Sequence, residues 1–351
     1  MQLKLTGFLF TLLSLSITKA QKTDDFSKKI DSVITNSDPI KFNGTVLVTK
    51  AGKVKYAKTF GYSNFSNNIP LKSDDQFEIM SNSKQVTAVL ILKEVEKGNI
   101  NLQSPIKKYL PDLTESWADL VTVHQLLNHT HGIVDTEKPL VFKPGSQFKY
   151  GNLSYMLLGE ILAKISGKTY VELADELFRK LNMKNTFCYN KDNKRGLVNG
   201  YMNKENNFEK VEKSFINNDN LPAAGIVSTV HDLSLWNTAL FEGGLLKSGT
   251  FKMMTSPTTK SQHDVFGKED MGFGYNVRII KESGLSYYAV TGLGDGFTCL
   301  NVHFPSDDVN LIILENQMPR NSDYWSYKEA LIKNIILKSG LLTGLTDGNE
   351  K

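Results

Sequence analysis

Beyond residue 20 this chain has no apolar run long enough to span a membrane, no block of like charge and only two cysteines. The missing span, and the lack of a cysteine after Ala20 to take a lipid, predict a soluble mature chain without stable membrane insertion. Lysines are scattered and no aromatic-basic interleaving occurs, so nucleic acid is not an expected partner. Cys188 and Cys299 lie far apart, and their spacing leaves a disulfide and two buried free thiols equally open. No carboxylate or cysteine cluster accompanies His124, His129 and His131, which argues against a metal site there. His303 reads as a strand-edge residue ahead of a turn. Thr291, Gly292, Gly294 and Gly296 lack the following helix that a phosphate loop needs. No cofactor, repeat or low-complexity linker is implied.

The N-terminus, "MQLKLTGFLFTLLSLSITKAQ", joins Lys4 to an apolar stretch from Leu5 to Ile17 and a small-residue site at Ala20. This pattern predicts a signal peptide over residues 1–20 and export to the periplasm or the extracellular space. The remaining residues, about 330, form one large domain or two intimately joined ones. "FNGTVLVTKAGKVKYAKTFGYSN" predicts a β-hairpin turning at Ala51-Gly52. A helix follows from about Asn82 to Lys97, apolar all round its middle and capped by Gly98. From about 101 to 270 the chain reads as mostly helical, with "YNKDNKRGLVNGYMNKENNFEKVEKS" as an exposed polar excursion. From Met271 short β-rich runs return, with a turn at Pro305-Ser306-Asp307-Asp308, and a helix from about Tyr324 to Leu337 closes the chain. The expected fold is therefore an α+β arrangement: an antiparallel sheet built from N- and C-terminal strands (about 25–100 and 271–340), flanked by helices, with a helical insertion.

Ser81 and Lys84 stand three apart at the start of the apolar helix, in "FEIMSNSKQVTAVLILKEVEKGN". A serine hydroxyl needs a proton acceptor within reach to become a nucleophile, and residues three apart on a helix share a face. Burial lowers a lysine's proton affinity, making Lys84 a base for Ser81. The spacing recurs at Ser16/Lys19, Ser104/Lys107 and Ser146/Lys149, but only Ser81 heads a helix expected to be buried. The plain alternative for Ser81 is a helix N-cap. Tyr150 and Asn152 flank a glycine before another apolar helix, placed to point a phenol and a carboxamide into one pocket. Phe65, Tyr201, Trp236, Phe273 and Tyr275 are candidates for cleft lining or for packing.

These segments, followed by "VTVHQLLNHTHGI", "PAAGIVSTVHDLSLW", "GFGYNV" and "VTGLGDGFTCLNVHFPSDDVNLIILEN", resemble in order those of the penicillin-recognising serine hydrolases. The group includes class C β-lactamases, DD-peptidases, D-aminopeptidases and β-lactamase-like esterases, and the resemblance runs from about Phe42 to Leu337. It implies that Ser81 is the acylated nucleophile, with Lys84 and Tyr150 sharing the proton transfers. Asn152 would bond Lys84 or substrate, and the backbone N–H groups of Ser81 and Leu293 would form an oxyanion hole beside Thr291 and Gly292. The family's basic residue before Thr-Gly is replaced by Val290, and a second glycine of many relatives by Ala224. A valine cannot pair with a substrate carboxylate, so the expectation is an esterase or peptidase-like hydrolase of a small ester, amide or peptide-like substrate, ahead of a β-lactamase. A binding protein that keeps the fold without the chemistry is the rival reading.

Overall fold

The computed structural model describes residues 25–192, 196–261, 266 and 271–343, so the expected signal peptide lies outside the described residues. The main sheet has eight strands, numbered here in chain order: β1 (Gly44–Lys50), β2 (Lys53–Phe60), β3 (Thr259–Lys260), β4 (Gly272–Phe273), β5 (Arg278–Glu282), β6 (Leu285–Gly294), β7 (Phe297–Phe304) and β8 (Val309–Glu315). Their spatial order is β3-β4-β5-β6-β7-β8-β1-β2, and every pairing is antiparallel. The sheet is thus assembled from both ends of the chain, as the sequence predicts. Ala51 and Gly52, both with positive φ (49° and 69°), make the tight turn between β1 and β2.

Alternation along the strands divides the core in two. Val46, Val48, Leu300, Val302, Leu311 and Ile313 face helices α1 (Phe26–Thr35) and α9 (Tyr327–Leu337), meeting Ile30, Ile34, Ile332 and Ile336. The opposite face, with Leu47, Cys299, Ile312 and Leu314, backs a larger cluster built on α2 (Ser83–Glu96), α4 (Leu153–Ser166), α5 (Tyr170–Lys180) and α7 (Val230–Asn237). Helix α2 is buried on every side from Ser83 to Leu92, which is why its sequence has no polar face, and Gly98 ends it at φ 80°.

Two expectations change, and the state of the cysteines, left open by the sequence, is settled. The polar excursion holds a hairpin, Tyr201–Lys204 with Asn207–Lys210, turning at Glu205-Asn206 (φ 51° and 68°) and pairing in parallel with Met318–Pro319. Tyr201 and Asn203 are buried there, because alternate residues of a polar-looking strand still share one inward face. Cys188 and Cys299 are both buried free thiols. His303, expected at a sheet edge, is buried in β7 between β6 and β8, since the strands before and after it pair with it on both sides. No described helix is long and apolar enough to cross a membrane.

The α9 contact is separable from the cleft. Ile332→Ala should destabilise the fold by about 2–5 kcal/mol through the cavity it leaves. The check is a lowered urea midpoint at unchanged slope, with unchanged turnover per folded molecule.

Candidate active site

Ser81 lies in a short 3-10 turn, Met80–Asn82, that leads directly into α2. Met80 is held at φ 48°, an unfavourable conformation for a residue with a Cβ. The turn is fixed by Ile79 N–H donating to Ile226 carbonyl oxygen (2.9 Å) and by Asn276 Nδ2 donating to the Ser81 carbonyl oxygen (3.2 Å). Gly292 of β6 runs against it, and a Cβ built on that glycine would collide with the Ile79 carbonyl. Strand β5 pairs β6 only as far as Ala289, so the segment Val290–Gly294 presents an unpaired edge beside Ser81.

Lys84, one turn into the helix, is fully buried. Its Nζ lies 3.0 Å from Ser81 Oγ, 2.8 Å from Asn152 Oδ1 and 2.8 Å from the Ala223 carbonyl oxygen. Asn152 caps α4 and Ala223 belongs to the short helix Leu221–Ala224, so three separate chain segments converge on one nitrogen. Burial holds Lys84 below the ordinary ammonium range, while interaction with Tyr150, both through charge and a hydrogen bond, acts the other way. Two of the three oxygens are carbonyls that only accept. A neutral amine donates one hydrogen to each of them and keeps its lone pair for the Ser81 hydroxyl. The Tyr150 ring centre is 5.0 Å from Nζ. Ser81, Lys84, Tyr150 and Asn152 are thus brought together, with the edge carrying Thr291, Gly292 and Leu293 alongside.

Three groups escaped the sequence reading. Arg278, on β5, donates from Nη1 to Thr291 Oγ1 (3.0 Å) and lies near enough to Tyr150 to feel its charge. It is buried, its Nε takes no partner, and among the described residues no carboxylate pairs with it. Its signal was there only as one arginine thirteen positions before a threonine; the pairing of Arg278 with Ala289 across two strands makes them neighbours. His129, which the sequence singles out only as a metal-ligand candidate, stands with its ring 4.5 Å from that of Tyr150 and its Nδ1 3.2 Å from Ser154 Oγ. Phe215, 43% exposed, lies against Gly294 at the end of the β6 edge. Of the aromatic candidates, Tyr201, Trp236, Phe273 and Tyr275 are core residues, Trp236 donating from Nε1 to Gln85 Oε1 (2.7 Å). His124 is bound up with Tyr275 Oη (2.7 Å), and burial lowers His131 to a pKa of about 4.

Residues 41–332 match the protein family described as Beta-lactamase. The chain is 25% identical over 331 residues to Penicillin-binding protein 4* of Bacillus subtilis (strain 168), covering 83% of this chain and 71% of that protein. It spans between 49% and 71% of the length of the curated relatives it matches first. Among solved structures, the octameric penicillin-binding protein homologue from Pyrococcus abyssi has 25% identity and a TM-score of 0.74, over 91% of this chain and 77% of that one. The D-amino acid amidase from Ochrobactrum anthropi SV3 has a TM-score of 0.77 over 89% of this chain and 99% of that one; at 19% identity it speaks to the fold alone.

Gly292→Ala should push the Ser81 turn away from the β6 edge. A misplacement on the order of 1 Å costs about 10²-fold in rate. The expected result is slowed ester hydrolysis and slowed fluorophosphonate labelling of Ser81, with Lys84 still buried and the far-ultraviolet spectrum intact.

Proposed function

This chain belongs to the Beta-lactamase family of serine hydrolases, and we propose that it is an exported enzyme that cleaves a small ester, amide or peptide-like substrate through an acyl-serine intermediate. The observation that carries the reading is the 3.0 Å approach of a buried Lys84 Nζ to Ser81 Oγ, with the Asn152 and Ala223 oxygens on the same nitrogen restricted to accepting. Lys84 takes the hydroxyl proton as Ser81 Oγ bonds to the substrate carbonyl carbon. The oxyanion that forms is met by the backbone N–H groups of Ser81 and Leu293. Donors of this type are worth about 3 kcal/mol each to the transition state. Collapse expels the leaving amine or alcohol, protonated through Lys84 and Tyr150. Water then attacks the acyl carbon, and its proton returns the hydroxyl to Ser81. Asn152, holding Lys84 through Oδ1, has Nδ2 to offer the substrate amide or ester. Phe215 offers an apolar surface to the acyl group.

Arg278 alters the substrate argument drawn from Val290. A buried guanidinium that has no acid partner among the described residues is unfavourable, and an anion beside it would relieve that cost. Its bond to Thr291 Oγ1 puts the charge beside the β6 edge, so a substrate carboxylate can be met there although Val290 offers nothing. This favours peptide-like amides and esters bearing a free carboxylate over neutral esters. Export to the periplasm or the extracellular space rests on the N-terminal pattern of residues 1–20.

The direct test compares wild type with Ser81→Ala on short-chain aryl esters, on peptide amides and on a chromogenic cephalosporin. A fluorophosphonate probe should add one mass increment to wild type and none to the variant. An unlabelled wild type would favour the binding-protein reading, and cephalosporin turnover outpacing the amides would reverse the substrate order.

Activity should fall as pH drops through the lowered pKa of Lys84, because protonation fills the lone pair that Ser81 needs. The ascending limb of kcat/KM should therefore sit below the free-lysine value of about 10.4. Lys84→Arg should lose about 10²–10⁴-fold of the rate, and with it the limb.

Arg278→Gln should raise KM for carboxylate-bearing substrates by about tenfold or more, the loss of a charged hydrogen bond, while sparing neutral aryl esters. Equal losses on both substrate types would remove Arg278 from recognition.

A further inference from the structure

At the end of β7 remote from Ser81, one imidazole and two carboxylates face one another. His303 is 1% exposed and its ring is clamped, stacked on Phe241 with centroids 4.4 Å apart and planes within 4°. Its Nδ1 lies 3.0 Å from Asn310 Oδ1. The tautomer follows from what surrounds that amide. Asn310 Oδ1 also accepts from Asn237 Nδ2 (3.0 Å), and Asn310 Nδ2 donates to Thr49 Oγ1 (3.2 Å), so the oxygen is the atom turned to the ring. Nδ1 therefore carries the hydrogen and Nε2 the lone pair.

That lone pair points at carboxylates. Nε2 lies 3.2 Å from Glu242 Oε1, without hydrogen-bond geometry, and has no hydrogen-bond partner. Asp308 Oδ1 is likewise buried and unpartnered. One ligand atom from each of Glu242, His303 and Asp308 lies within 4.8 Å of the other two. Glu242 ends the π-helical turn Thr238–Glu242, and Asp308, at φ 46°, sits in the turn between β7 and β8. Unpaired acceptors this close together favour a positive charge between them, and a metal ion would supply it.

We propose that Glu242, His303 and Asp308 form a binding site for a divalent transition-metal ion of the zinc type, with water completing the coordination. One imidazole and two carboxylates suit zinc, and the Nδ1–H donated to an amide oxygen is the support a metal-bound histidine ordinarily receives. Zinc–ligand distances of about 2.0–2.2 Å place ligand atoms roughly 3.3–3.5 Å apart, so the longer separations close by rotation of the carboxylates. Glu242, 41% exposed at its side chain, is the group free to swing and the entry path from solvent. The ion would tie the turn after α7 to the β7–β8 hairpin, and it takes no part in the chemistry at Ser81.

The test strips the full chain with a chelator and titrates it with zinc and with cobalt. Expected are uptake of one ion at micromolar concentration, visible cobalt d–d absorption and a rise in Tm of about 5 °C at saturation. Asp308→Asn keeps the shape and tolerates the positive φ, and Glu242→Gln alters an exposed side chain, so both should fold. Each should weaken uptake at least tenfold and abolish the Tm rise, with ester hydrolysis unchanged. Failure of wild type to take up either ion, or uptake unaltered in both variants, would overturn the site.

Discussion

Lys84 Nζ meets the oxygens of Ser81, Asn152 and Ala223, and those of Asn152 and Ala223 can only accept. If the amine were charged, all three of its hydrogens would be committed and Ser81 would be a mere acceptor; neutral, it holds its two fixed neighbours and leaves a lone pair for the hydroxyl. Removing water from around it favours the second state. The surrounding architecture reads as the means of keeping that nitrogen dry and in place. Helix α2 can be apolar on all sides because α4, α5, α7 and the sheet enclose it, and the price of that enclosure is a polar group at its mouth that must be satisfied within the protein.

The unpaired stretch of β6 is the second constraint. A sheet edge ordinarily invites further pairing, and here it is shielded by the turn that carries Ser81. Gly292 permits the approach, since any side chain would strike the Ile79 carbonyl. The same alternation that directs Val290 inward directs Thr291 to the face it shares with Ala289 and Arg278. Charge at this site is therefore borne by the neighbouring strand: the guanidinium of Arg278 reaches Thr291 across the register, and the identity of residue 290 no longer decides whether a cation is present.

Much of this was readable before any coordinates. Ser81 and Lys84 stand out against Ser104/Lys107 and Ser146/Lys149 because the run after them lacks a polar face, and Ser146 is indeed exposed in a turn. Tyr150 and Asn152 announce themselves by preceding a second apolar helix. Arg278 does not, because its importance comes from cross-strand register, which no local spacing encodes. Tyr201 was obscured by polar neighbours, although Glu205-Asn206 supplies the two positive-φ positions of a tight hairpin turn. His303 reads as an edge residue because it precedes a turn, whereas its burial comes from long-range pairing of β7 with β6 and β8.

The inward residues of β7 join these observations. Cys299, Asn301 and His303 occupy successive inward positions, roughly 7 Å apart. Cys299 receives Asn82 Nδ2 (3.1 Å) beside the serine turn, and Asn301 exchanges amide hydrogen bonds with Asn237 (2.6 and 2.8 Å). Asn237 also reaches Asn310, which orients His303. One residue before Asn237, Trp236 is anchored to Gln85 of α2, adjacent to Lys84. A polar ladder in an otherwise apolar interface admits few alternative registers, because a slip would strand several buried amides at once. The helix that buries Lys84 is thus keyed to the sheet by amides rather than by apolar packing alone, and the same amides fix the imidazole at the far end of the strand.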